Sequence, residues 1–209
     1  MVFIRSFAFN NPTGITTDGK YLWVIKYLDQ PATAEIHQIN KSGNVIQIID
    51  VSAIDTIPRG ITTDGKYLWW VGRQNQSIYQ MDKAGNLIRT IAVGAIDANP
   101  QGITTDGKYL WWIGDTGNNI CQMNKSGNLI KIIPMGTIDE YPRGITTDGK
   151  YLWWNGAEKK NIHQMDKAGN LIRTIAVGAI DTLPWGITTD GKYLWWAGAT
   201  SNRIVQWAK

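Results

Sequence analysis

The apolar positions of this chain fall in short runs, not on a helical stripe. From Gly60 the order is a β-favouring GITT, the pair Asp64-Gly65, and the apolar run YLWWVG. A polar loop, GRQNQ, overlaps the last glycine and is followed by SIYQMD, DKAGN and LIRTIAV. GAIDANPQ then leads to Gly102, and its Pro100 ends strand character. Asp-Gly between β-favouring runs is a two-residue hairpin signal, and Gly85 suits the left-handed backbone of the second connection. The pattern predicts four short antiparallel strands per unit and no helix.

Trp69 and Trp70 sit side by side in the second strand. Successive strand side chains point to opposite faces, so the pair demands cover on both sides of the sheet. Repetition supplies that cover. Gly102 to Trp112, Gly144 to Trp154 and Gly186 to Trp196 repeat Gly60 to Trp70 letter for letter, and Gly14 to Val24 differs only at Val24. The starting glycines are 46, 42, 42 and 42 residues apart, the period of a four-stranded propeller blade. Stacked radially, each sheet is covered by a neighbour on each face, one tryptophan facing the preceding blade and one the following.

The ends fit together. VFIRSFAF, Val2 to Phe9, aligns with the fourth strand, and the last unit stops after its third, RIVQW. One leading strand, four complete units and three closing strands make five blades, with the N-terminal strand completing the C-terminal blade and closing the ring. A single domain over 1–209 is expected, with a closing strand and link at 1–13 and units at 14–59, 60–101, 102–143, 144–185 and 186–209. On these residues the chain resembles the five-bladed β-propellers over its whole length. The DG turn, the LWW strand and the I-x-Q-M strand look like lyase-like and NHL-like blades, and the five-unit ring is similar in plan to the tachylectin-like lectins. The GH and WD dipeptides of WD-repeat blades are absent.

Composition changes this picture little. An apolar share of 43% over 209 residues suffices for a sizeable core. No apolar run reaches membrane-spanning length, and Arg5 breaks the N-terminal apolar stretch, so no signal peptide is expected and the default compartment is the cytoplasm. Cys121 is alone, which excludes an intrachain disulfide. The net charge of +4 is dispersed, lysines interleaved with aspartates, and neither nucleic acid nor membrane is an expected partner.

The turns TDGK and DKAGN share one rim and hardly vary; the opposite rim carries the variable loops and interblade links. Asp55, Asp97, Asp139 and Asp181 recur in four links, offering either a carboxylate for a ligand hydroxyl or an Asx-turn acceptor. The residue before each repeat glycine is Thr13, Arg59, Gln101, Arg143 or Trp185. Arg59, Arg143, Tyr141 and Trp185, with the four aspartates, are the candidate ligand-binding residues on this rim. No ligand set for a metal recurs, and no cofactor is expected. Because GITT is identical in every unit, the inner strands look too symmetric for an acid–base pair, so the sequence predicts no enzyme. The expectation is a monomeric, non-catalytic, multivalent binding module, lectin-like, with glycans in interblade clefts. The alternatives are a protein-interaction scaffold, with the long loop from Ile25 to Ala34 as its mark, or an amplified propeller with no evolved ligand. Interchangeable strands also predict strand-swapped oligomers.

Overall fold

The computed structural model describes residues 2–28, 33–180 and 183–208. Among them, twenty strands form five four-stranded antiparallel sheets arranged as the blades of a closed ring. The inner strands are β2 (Pro12–Thr17), β6 (Pro58–Thr63), β10 (Pro100–Thr105), β14 (Pro142–Thr147) and β18 (Pro184–Thr189). Second come β3 (Leu22–Leu28), β7 (Leu68–Gly72), β11 (Tyr109–Gly114), β15 (Tyr151–Gly156) and β19 (Tyr193–Gly198). Third are β4 (Thr33–Ile39), β8 (Ser77–Met81), β12 (Asn119–Asn124), β16 (Asn161–Asp166) and β20 (Arg203–Ala208). The outer strands are β5 (Val45–Asp50), β9 (Leu87–Ala92), β13 (Leu129–Pro134), β17 (Leu171–Ala176) and, closing the last blade, β1 (Val2–Ala8). β1 pairs with β20 from Val2↔Ala208 to Ala8↔Arg203, so the two chain ends share one sheet.

The tryptophan pair behaves as its alternation demands. Trp69 packs with Ile103, Leu110 and Trp112 of the following blade, and Trp70 packs with Trp23 and Ile25 of the preceding one. The two indoles are not equivalent, however. Trp69 Nε1 donates to Asp64 at 3.0 Å, whereas Trp70 Nε1 is buried with no hydrogen-bond partner among the described residues.

The DG turn is longer than a two-residue hairpin. Thr63 pairs with Leu68, leaving four residues in the loop. Asp64 Oδ1 accepts from the N–H groups of Lys66 and Tyr67, while Thr63 Oγ1 donates to the Tyr67 carbonyl. The side-chain acceptor makes the larger loop self-sufficient, and Gly65 takes the positive φ of 91° that closes it.

The same aspartates join the blades. Lys125 reaches back to Asp64 at 2.7 Å, Lys167 to Asp106 at 2.7 Å, Lys83 to Asp18 at 2.9 Å and Lys41 to Asp190 at 3.3 Å. Burial alone would raise the Asp64 carboxyl, but Lys125, the Tyr67 N–H and the Trp69 indole outweigh it and hold the pKa below the ordinary value. Asp18, Asp106 and Asp190 are depressed by the same balance. A depressed folded-state pKa contributes stability that is complete above the unfolded value, about 3.9, and is lost as pH falls through the folded value. Asp64→Asn should therefore lower the melting temperature at neutral pH by about 2–8 °C, the equivalent of about 1–2 kcal/mol. The difference from wild type should shrink below about pH 3. A difference that persisted unchanged into acid would show that the charge on Asp64 contributes nothing.

Candidate functional site

Each inner strand opens with Pro-x-Gly, and the register slips by a bulge between the proline and the isoleucine that follows the glycine, as from Pro58 to Ile61. Proline is tolerated there because a first strand residue need not donate to the ladder. The strand therefore begins two residues earlier than the repeated GITT, and the x residue belongs to the innermost strand. This corrects the expectation of symmetric inner strands. Thr13, Arg59, Gln101, Arg143 and Trp185 are five different residues at five equivalent positions around the axis.

The glycines beneath them form a neck. A Cβ on Gly60 would stand 2.5 Å from the Gln101 carbonyl oxygen of the next blade, and one on Gly186 would stand 2.8 Å from Gly14 Cα. Backbones this close leave no room for a side chain, so glycine is required. The five x residues line an axial cavity of about 10 Å³ above this neck, the space of about one water.

On one side of the mouth, the Arg59 guanidinium lies 4.8 Å from the Trp185 ring centroid and 5.1 Å from that of Tyr27. Such stacking fixes a guanidinium in place while keeping its edges available for hydrogen bonds. Beside it opens a recess of about 230 Å³ whose lining includes Asn11, Pro12, Tyr27, Leu28, Arg59 and Trp185. On the other side runs a polar chain. Gln101 Nε2 donates to Asn99 Oδ1 at 2.9 Å, Asn99 Nδ2 donates to Asp115 Oδ2 at 2.7 Å, and Arg143 Nη1 donates to the same oxygen at 3.3 Å. Asp115 Oδ1 and Arg143 Nε are buried with no hydrogen-bond partner among the described residues. Burial pushes the Asp115 carboxyl above its ordinary pKa and Asp97 adds to the rise, against the pull of Arg143 and Arg73.

Asp115 was missed in the sequence because it lies in a loop rather than a strand. A signal existed: the residues at its position in the other units are Tyr27, Arg73, Ala157 and Ala199, so it is the one carboxylate of that set.

The link aspartates lie elsewhere. Asp55 Oδ1 accepts from Ile57 N–H at 2.8 Å, an Asx turn, and Oδ2 accepts from Asn75 N–H at 2.9 Å and Tyr79 Oη at 3.2 Å. Asp97 binds the N–H groups of Asn99 and Gly117, both at 2.8 Å. Asp139 Oδ2 meets His163 Nε2 at 3.0 Å, and burial holds that histidine below its ordinary pKa. All three carboxylates are buried and occupied in ordering links and loops, and Asp181 lies outside the described residues. Tyr141 is half exposed, with φ at 54°, and lines neither the axial cavity nor the recess. Of the candidate residues, the fold brings together Arg59, Arg143 and Trp185.

No protein-family model and no curated protein sequence matches the chain. Its fold is similar to the crystal structure of Myxococcus xanthus glutaminyl cyclase, with a TM-score of 0.81, 13% identity, and 98% of this chain and 94% of that chain covered. Virginiamycin B lyase from Staphylococcus aureus aligns with a TM-score of 0.60 and 23% identity over 95% of this chain and 66% of that one. A streptogramin B lyase aligns with a TM-score of 0.59 and 19% identity over 98% of this chain and 72% of that one. These neighbours are enzymes, so the expectation that the chain is not an enzyme is withdrawn, while a likeness at this identity shows the fold and no activity. The chain is a five-bladed β-propeller with four-stranded blades, and its structural neighbours include lyase-like propellers and a glutaminyl cyclase propeller.

Proposed function

We propose that the chain binds one small anionic ligand per ring at the axial mouth of the variable rim, with a flat apolar part of that ligand in the neighbouring recess. The observation that carries this reading is the convergence of Thr13, Arg59, Gln101, Arg143 and Trp185 on one point, while the rest of each inner strand stays identical. A ring that breaks its symmetry at the axis has one site, not five. Arg59 and Arg143 line the mouth, and Arg143 faces one carboxylate, Asp115, a balance that favours an anion and suits guanidinium recognition of carboxylate, sulfonate or phosphate. The recess of about 230 Å³ is far roomier than the axial cavity and can take more than a single water. Its walls of Tyr27, Trp185, Leu28 and Pro12 suit a ring.

Calorimetry with benzenesulfonate, benzoate, phosphate and neutral oligosaccharides tests this directly. One anion should bind per chain, and Arg59→Gln or Arg143→Gln should weaken it by about tenfold to a hundredfold, the worth of a charged hydrogen bond. Several neutral sugars per chain, indifferent to both substitutions, would overturn the reading in favour of a multivalent lectin-like module.

A further inference from the structure

Asp115 and Arg143 are joined by a single bond of 3.3 Å. A carboxylate and a guanidinium can instead make two parallel bonds near about 2.8 Å. Here Asp115 Oδ2 is also occupied by Asn99, while Oδ1 and Arg143 Nε stay buried without partners among the described residues. The Asp115 side chain is only 9% exposed, so its carboxylate is poorly hydrated where it stands. Half-satisfied buried polar groups are costly, and whatever completes them is favoured.

We propose that an anion entering the axial mouth takes Arg143 from Asp115, and that Asp115 gains a proton from solvent on Oδ1 as it does so; this rests on the anion-binding reading above. The groups facing Asp115 give the coupling its sign. Arg143 on β14 and Arg73 after β7 stabilise the carboxylate, and Asp97 in the link before β10 opposes it. Asn99 donates to Oδ2 in either state. An anion on Arg143 weakens the main attraction and adds a second negative charge, so both changes favour the protonated carboxyl. The proton on Oδ1 removes a buried negative charge that Arg143 no longer offsets. Burial already holds the carboxyl above its ordinary value, which brings the switch towards mild acid.

Benzenesulfonate is the probe, because its own charge does not titrate in the range used. Calorimetry at about pH 5–6, above the ordinary carboxylate value, in two buffers of different ionisation heat measures the protons taken up on binding. Wild type should gain up to one proton per ligand, and its affinity should rise by up to about tenfold for each unit the pH falls. Asp115→Asn should abolish both effects and bind at neutral pH at least as tightly as wild type, since Arg143 is already released. Wild-type binding without proton uptake, or uptake that persists in Asp115→Asn, would overturn the coupling and leave the anion site standing. Failure of wild type to bind benzenesulfonate or phosphate at all would overturn the site and the coupling together.

Discussion

Trp70→Ala is expected to destabilise the ring by about 3–5 kcal/mol, read as a shift in the denaturant midpoint at unchanged slope. Trp70 is fully buried, stacks on Tyr79 at 4.3 Å between centroids, and packs against Trp23 and Ile25 of the preceding blade. Its removal opens a cavity between two blades that rigid sheets cannot close. Since folded domains are stable by about 5–15 kcal/mol, one such cavity takes a large share of the total. Ile88, 51% exposed on β9, is the control, and Ile88→Ala should move the midpoint little. Trp70→Phe should cost clearly less than alanine, because it keeps a ring and removes an indole N–H that has no partner among the described residues. Equal effects of alanine at positions 70 and 88 would mean that the blades are not held by their tryptophan faces.

Deletion of residues 1–9 is expected to abolish the stable monomer. The deletion removes β1, the pairing from Val2↔Ala208 to Ala8↔Arg203, the Arg5 Nε bond to Gln206 Oε1 at 2.9 Å and the Ser6–Arg203 bond at 2.7 Å. The lost ladder is worth on the order of 5 kcal/mol, and β20 becomes an unpaired edge. Outer strands such as β9, LIRTIA, resemble β1 closely enough to fill that edge from a second molecule. Size-exclusion chromatography should show dimers and larger species, and an added peptide of residues 1–9 should restore monomer. A truncated monomer of unchanged melting temperature would disprove closure by the N-terminal strand.

The architecture was legible because its determinants are local and repeated. Adjacent tryptophans at strand spacing require cover on both faces, a period near forty residues supplies it, and the surplus strand at one end matches the deficit at the other. The DG loop was read two residues too short because the capping acceptor on Asp64 competes with the tight hairpin, and hairpin propensity alone does not weigh it. The axial site was half legible. Arg59, Arg143 and Trp185 stood out by variation, but counting strands from glycine rather than proline put them in links, where cleft binding looked natural. Their convergence is a property of the closed ring, which brings together residues 42 or more apart in sequence. Asp115 depends instead on the packing of neighbouring blades, because Asn99 leads into its own blade and Arg143 comes from the next.

The glycine neck brings the inner strands of neighbouring blades into backbone contact, and the axial space beside it holds about one water. A ligand of the proposed kind, larger than a water and seated on Arg59 and Arg143, would therefore be held at the variable rim rather than drawn along the axis. Whatever extends from it must project outward past Tyr27 and Trp185. Ligands carrying a long tail, or fixed to a surface or polymer through their far end, would then meet such a site head first.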